Sequence, residues 1–245
     1  MQKKYIIGID LGGTKISAAI SDTGGNIFYK KTVPTLTSEG PASVVGRIEN
    51  LIEEAIKYKN ASSDEVAGIG SQIGSPGPLD PKKGVILDAA NLPGFVNLPL
   101  AEPIEKKFGI KTYVENDANA AALGELWFGA GRGCRNFVYV TVSTGVGGGI
   151  IINGDIYQGN TGNAGEIGHI TIDPSGPRCN CGNYGCLEVL ASGTAVARIA
   201  NERLAGGEDS ILKDCEKVTS KEVFEAAANG DKLASDVVAY CLNYL

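Results

Sequence analysis

Chemically capable side chains crowd into residues 163–188, NAGEIGHITIDPSGPRCNCGNYGCLE, where Glu166, His169, Cys179, Cys181, Cys186 and Glu188 fall in one short interval. His169 is the only histidine of the chain and stands upstream of a Cys-x-Cys-x-x-x-x-Cys cluster. Three thiolates and one imidazole are the ligand set of a closed tetrahedral zinc site. Gly182 and Gly185 lie inside the cluster, where a tight metal knuckle needs backbone conformations that a Cβ resists. Unconnected buried cysteines beside a core histidine are the plain alternative, and the spacing argues against it. Glu166 precedes His169 by three residues and Glu188 follows Cys186 by two, so a folded knuckle would hold both carboxylates near one spot. A neutral imidazole can bind zinc through one nitrogen and donate a hydrogen bond from the other. Two carboxylates and an oriented N–H suit a ligand rich in hydroxyl groups; the plainer role for the glutamates is outer support of the metal or surface charge.

Two glycine turns share a second kind of chemistry. Asp10-Leu11-Gly12-Gly13-Thr14 and Ser143-Thr144-Gly145-Val146-Gly147-Gly148-Gly149 each join two apolar segments. Glycine lets backbone N–H groups approach an anion closely, and each turn adds a threonine hydroxyl as a donor. Neither is a Walker loop, and neither is a dinucleotide fingerprint, because a strand rather than a helix follows. Asp10, closing the first strand, is placed to hold a magnesium ion, directly or through water, beside nucleotide phosphates. One such turn is ordinarily just a hairpin; a pair could clamp a polyphosphate. Asp117 is the candidate catalytic base, since a carboxylate at a helix N-terminus can take the proton of a reacting hydroxyl. For aspartate at that position the commoner role is the helix N-cap, and the two roles can coexist.

These groups need elements to position them. Residues 4–10, 15–21 and 27–32 read as strands joined by Gly12-Gly13-Thr14 and by Asp22-Thr23-Gly24-Gly25-Asn26, an antiparallel meander. Val44, Val45, Ile48, Leu51, Ile52, Ala55 and Ile56 repeat at helical spacing within residues 41–57, with Thr37 or Ser38 as the expected cap. Residues 66–73 read as a buried strand entering a rigid loop at 74–80, and 91–95 as a second such loop. A short helix over 100–108, a strand over 112–115 and an Ala-rich helix over 118–127 follow. Strands at 137–142 and 149–152 form a second hairpin. Three helices are expected after the knuckle: 194–204, one at 221–229 opened by the capping box Thr219-x-x-Glu222, and one from 232 to the last residue. The division this predicts is 1–116 and 117–245, with the chain ending inside a helix as a shortened protein would.

Composition bounds the rest. The 245 residues carry 34 glycines and 7% aromatics, which suits an α/β enzyme with many tight turns. Net charge is −6, from 22 basic and 28 acidic side chains, with no basic run, so nucleic acid is a poor partner. No apolar run is long enough to span a membrane, and no signal-peptide pattern precedes the first strand. Six cysteines, three of them spaced as ligands and three scattered (Cys134, Cys215, Cys241), do not resemble a secreted disulfide framework. A soluble cytoplasmic protein is expected.

With these residues assembled, the chain resembles the ROK family of sugar kinases in the actin/hexokinase superfamily, and within it looks like the bacterial glucokinases. The resemblance rests most on Glu166-Ile-Gly-His169 followed by Cys179-x-Cys181-Gly-x-x-Gly185-Cys186-x-Glu188. Asp10-x-Gly12-Gly13-Thr14, Pro76-Gly77-Pro78, Asn91-Leu92, Glu115-Asn116-Asp117-Ala118-Asn119 and Thr144-Gly145-x-Gly147 appear in the family's order. It implies two ribonuclease H-like α/β domains with a cleft between them, the second incomplete, closing over the sugar to exclude water. It implies that Asp117 takes the proton of a hexose hydroxyl attacking the γ-phosphate of ATP, glucose being the leading substrate. Asn91, Asn116, Glu166, His169 and Glu188 would hold the other hydroxyls. His169, Cys179, Cys181 and Cys186 would bind structural Zn2+, and Asp10, Gly12, Gly13, Thr14, Thr144, Gly145 and Gly147 would handle Mg2+-ATP. A homodimer is implied as well. Family members are typically longer, with a further strand-and-helix segment carrying an adenosine contact and a C-terminal helix.

Other readings stay open at this point. Mannose, allose, fructose and N-acetylated hexosamines present much the same hydroxyl array. The family also holds sugar-responsive repressors; these carry an N-terminal helix-turn-helix for which a first strand near residue 4 leaves no room. A sugar-binding protein without turnover is the remaining alternative.

Overall fold

The computed structural model describes residues 3–74, 79–89 and 92–245. Asn91 and the Pro76-Gly77-Pro78 turn lie outside the described residues. In chain order the elements are β1 (Tyr5–Gly12), β2 (Lys15–Asp22), β3 (Ile27–Pro34), α1 (Pro41–Lys59), β4 (Val66–Gly74), β5 (Leu79–Asp80), β6 (Val85–Asp88) and β7 (Val96–Pro99). Then come α2 (Ala101–Phe108), β8 (Thr112–Asn116), α3 (Asp117–Phe128), β9 (Phe137–Val142), β10 (Val146–Ile152) and β11 (Asp155–Ile156). The chain finishes with α4 (Leu187–Ala191), α5 (Gly193–Ala205), α6 (Ser220–Ala228) and α7 (Lys232–Leu242). Two compact units result: Met1–Asn136 with Ile151–Ala164, and Phe137–Ile150 with Gly165–Leu245.

In the first unit a five-stranded sheet runs in the order β3-β2-β1-β4-β8. The expected meander is present: β1 pairs antiparallel with β2, and β2 with β3, while β4 and β8 add in parallel. Alternation on β1 and β2 sends Ile7, Ile9, Leu11, Ile16, Ala18 and Ile20 into the core. Helix α1 lays Val44, Ile48, Leu51, Ile52 and Ala55 on them, residues spaced at three and four so that they share one face. The cap of α1 is neither Thr37 nor Ser38. Thr37–Glu39 forms a 3-10 turn, and Gly40 stands at the N-cap with φ +85° ahead of Pro41. Proline's fixed φ suits the first helical turn, and glycine accepts the entry angle that a Cβ would resist.

Of the loops expected at 74–80 and 91–95, the first gives way at Leu79–Asp80, which forms β5 and pairs with β6, and β6 with β7, in a small antiparallel sheet; residues 92–95 carry neither strand nor helix. The first unit also continues past the 116/117 boundary, because α3 packs on β4 and β8. The glycine-rich stretch 137–152 pairs β9 with β10, and β10 begins at Val146 rather than at residue 149. In the second unit α5, α6 and α7 enclose a smaller core of Val196, Ala200, Leu212, Val223, Leu233 and Val237. Helix α6 has its capping box at Thr219 and Glu222. Helix α7 stops at Leu242 instead of running to the last residue. No helix among the described residues is long and apolar enough to cross a membrane.

Candidate functional site

The site residues form two groups, one in each unit. In the first unit β8 delivers the chain to α3, and Asn116 caps that helix: its Oδ1 accepts from the N–H groups of Ala118 at 2.8 Å and Asn119 at 3.2 Å. Asparagine is among the strongest capping residues, so Asp117 is released from that duty and becomes the first helical residue. Its Oδ1 still accepts from Ala118 N–H at 2.8 Å. The Asp117 side chain reaches solvent, yet the protein mass around it desolvates the carboxyl and raises it above the ordinary aspartate value. Backbone N–H groups of Ala118 and Asp117 offset part of that rise, and the like charge of Asp10 adds to it. Asp10 on β1, opposite Ser17 of β2, is therefore within electrostatic reach of Asp117. A carboxylate poised upward beside a second, half-buried carboxylate suits proton transfer next to a bound cation.

The first glycine turn is buttressed by a residue that sequence reasoning missed. Thr35, fully buried, donates its hydroxyl to the Gly12 carbonyl at 2.6 Å, and its N–H donates to the Thr14 carbonyl at 2.9 Å. Both ends of the turn are thereby held from below, leaving Gly13 and Thr14 toward the surface. A cavity of about 480 Å3 in this unit, lined by Lys82, Glu102, Lys111, Tyr113 and Gln158 among others, includes neither Asp10 nor Asp117. Chemistry, not volume, marks the site.

In the second unit the knuckle folds as its spacing requires. Gly182 and Gly185 take φ of +99° and +59°, and a Cβ on Gly185 would strike the Asp173 carbonyl. Cys179 N–H donates to the Asn183 carbonyl at 2.7 Å, and Gly182 N–H to the Cys179 carbonyl at 3.0 Å. The His169 nitrogen and the sulfurs of Cys179, Cys181 and Cys186 all lie within 4.8 Å of one another. His169 Nδ1 is 3.6 Å from Cys179 Sγ, and Cys181 Sγ is 3.6 Å from Cys186 Sγ. A tetrahedral centre with ordinary metal–sulfur and metal–nitrogen bonds spans edges of about 3.5–3.8 Å, so these four residues could hold a metal ion. Burial pushes the Cys179 thiol up and the Cys186 thiol up to about 12, whereas the Asn183 backbone lowers Cys181. Only a cation would make all of them thiolates together.

Glu166 precedes the 3-10 turn Ile167–His169 and is exposed; Glu188 opens α4 and is half-buried. Glu188 Oε2 accepts from Val146 N–H at 3.0 Å, and a Cβ on Gly145 would run into the same oxygen. The glutamate beside the knuckle thus packs on the second glycine turn, a contact spanning 42 residues that local pattern could not reveal. Thr144 of that turn is anchored through its carbonyl, which accepts from the Thr194 hydroxyl at 2.7 Å. All six cysteines are free.

Comparison with known proteins bears on this arrangement. A glucokinase of Halalkalibacterium halodurans is 41% identical over 250 residues, which cover 100% of this chain and 75% of that protein. A putative xylose repressor of Caldicellulosiruptor is 34% identical over 98% of this chain and 60% of its own length. Among solved structures, a ROK family glucokinase from Streptomyces griseus in complex with glucose and AMPPNP superposes with a TM-score of 0.75 at 35% identity, covering 98% of this chain and 76% of that one. The fold is the α/β fold of the actin/hexokinase type seen in these sugar kinases. Since the family pattern matches residues 6–245 and the glucokinase likeness spans the whole chain, this protein belongs to the ROK family.

Proposed function

We propose that this chain phosphorylates a hexose, glucose first among them, with ATP as the phosphoryl donor. The observation that carries the reading is Asp117: freed from capping by Asn116, raised by burial and by Asp10, and standing at the head of a helix. In the reaction the sugar hydroxyl oxygen bonds to the γ-phosphorus, the bond from that phosphorus to the ADP oxygen breaks, and the hydroxyl proton passes to Asp117. General-base help of this kind is worth about 10²- to 10⁴-fold. Positioning and electrostatics carry the rest. Asp10 would serve Mg2+ beside the phosphates. Gly12, Gly13 and Thr14, and in the second unit Thr144, Gly145 and Gly147, would offer them N–H and hydroxyl donors. Asn116, Glu166, His169 and Glu188 would bind sugar hydroxyls; Asn91 shares that role by its motif alone.

Zinc is the metal whose chemistry best fits one imidazole and three thiols gathered within 4.8 Å of one another, two pairs of them at 3.6 Å. Nδ1 of His169, on the side of Cys179 Sγ, would bind such an ion, and Nε2 would then be left to donate to a sugar hydroxyl. The likeness to a xylose repressor supports a second reading, sugar binding without turnover. Coupled ADP release with Mg-ATP and a panel of hexoses, run beside calorimetric binding of each sugar, separates the two. Glucose-dependent ADP release is the expected result; binding without ADP release favours the sensor, and neither signal removes the hexose assignment.

A further inference from the structure

Three donors from three segments of the first unit meet on one carboxylate that the proposed reaction does not use. Glu115, on β8, accepts at Oε1 from Asn116 N–H at 3.0 Å and from Asn119 Nδ2 at 3.0 Å. Its Oε2 accepts from Gln158 Nε2 at 2.5 Å, across 43 residues of chain. Asn116 caps α3 and Asn119 lies in its first turn, so one carboxylate ties the strand, the head of the helix and the segment after β11 together.

Asn119 sharpens the point. It is 2% exposed. A carboxylate only accepts, so its amide must turn Nδ2 to Glu115, which leaves Oδ1 buried and without a partner among the described residues. An orphaned buried acceptor is a cost that an apolar residue would avoid. This network therefore gives up stability and gains orientation. The orientation matters at Ala118, whose N–H lies 2.8 Å from both the capping Asn116 Oδ1 and Asp117 Oδ1. A small rotation of the helix head would hand that donor to the cap alone.

We propose that Glu115 is a positioning residue: through Asn116 and Asn119 it fixes the head of α3, and hence the direction in which Asp117 presents its carboxylate, while Gln158 holds Glu115 in place. The inference rests on the reading of Asp117 as the general base. It differs from ordinary helix support because the tie acts at the residue before the base and at the residue two beyond it, and passes through a side chain from a distant loop.

The test uses the full chain with its metal. Glu115→Gln leaves one neutral oxygen, in place of a carboxylate, to accept from Asn116 N–H and Asn119 Nδ2, and obliges the Gln158 amide to turn over to accept from the new NH2, so all three contacts weaken or rearrange. Combining Glu115→Gln with Gln158→Glu exchanges donor and acceptor across the contact, restores all three bonds and leaves net charge unchanged. Two quantities are read: the 13C-carboxyl NMR titration midpoint of Asp117, and kcat with Mg-ATP and the preferred hexose. The groups acting on Asp117 are Asp10 from β1 and the N–H groups of Asp117 and Ala118, and Glu115 of β8 is a further carboxylate two residues away in sequence. Removing the charge of Glu115 would by itself move the Asp117 midpoint down, whereas withdrawing Ala118 N–H moves it up. An upward shift in Glu115→Gln is expected, with kcat lower by about 10- to 100-fold, as a misplacement of up to 1 Å can produce. The exchanged pair should bring both back. A downward or absent shift in the folded single variant, or a double variant that does not recover, overturns the proposal. Should Glu115→Gln fail to fold by near-UV circular dichroism, Gln158→Ala takes its place; it must raise the midpoint in the same direction, and an unchanged midpoint counts against the idea. A wild-type chain without hexose-dependent ADP release would defeat the general-base reading alone, because the titration still reports whether Glu115 aims Asp117.

Discussion

At the head of α3 every group that aims Asp117 is polypeptide: the capping Asn116, the amides of the first helical turn and the carboxylate of Glu115. Beneath them lies the main core of the first unit, with Ile69 and Val114 buried on the strands that carry the helix. The knuckle of the second unit draws on neither of the two large clusters. Neither hydrophobic cluster includes a residue between 170 and 186, and Ile170, Ile172 and Tyr184 stand exposed around it. The buried side chains there are those of Cys179 and Cys186. A helix head resting on a sheet can hold a carboxylate through hydrogen bonds alone, whereas a loop without apolar support needs the binding energy of a metal. The two regions should therefore fail in different ways.

The largest effect falls on the knuckle. On the proposed metal site, Cys181→Ser should abolish metal uptake, measured by atomic absorption, and weaken glucose binding about 100-fold, since an ion held there would order His169 and the neighbouring carboxylates. In the same protein the Asp117 titration should stay where it is. Wild-type glucose affinity in a metal-free variant would break the contrast. Asp117→Asn comes next: kcat should fall about 10²- to 10⁴-fold while calorimetric sugar binding changes little. Turnover at the wild-type rate would reduce Asp117 to a first-turn helix residue. Asn116→Ala removes the cap and frees the helix head, and we expect kcat lower by about 10-fold with metal content intact.

The same contrast explains what could be read from the chain. The knuckle is local, its ligands and permissive glycines lying within a few residues of one another, so spacing alone exposes it. The meander, the face of α1 and the Thr219–Glu222 box are likewise written in short-range periodicity and capping chemistry. The helix head is harder, because Asn116 and Asp117 are adjacent and both can cap; only coordinates show which side chain turns back onto the N–H groups. Contacts across many residues leave no local trace, as with Thr35 under Gly12, Gln158 on Glu115 and Glu188 on Val146. Strands of two to four residues such as β5, β6 and β7 are set by their pairing and not by propensity, which is why their sequence looks like loop.

Smaller effects refine the helix-head side. Asp10 raises Asp117, so Asp10→Asn should lower the Asp117 midpoint, read by carboxyl NMR because the substitution also disturbs cation binding. For the wild type the sign runs the same way. The base acts only when deprotonated, so kcat should fall as pH drops through a value above the roughly 3.9 of a free aspartate, and an acidic limb at or below that value would contradict the raised carboxyl.

The smallest effect is also the cleanest control. Thr219 caps α6 as Asn116 caps α3, through a side-chain oxygen on first-turn N–H groups. Thr219→Ala should cost about 1 kcal/mol, the usual worth of a cap, seen as a lowered denaturant midpoint. Asn116→Ala should cost a similar amount in stability. Only the α3 variant should lose kcat, because only there does the cap share its donor with a base. Equal losses of kcat in both variants would mean that activity follows global stability, and the aim of the α3 head would not matter. A loss confined to Asn116→Ala, with calorimetric sugar binding unchanged, would separate a cap that merely ends a helix from one that points a carboxylate.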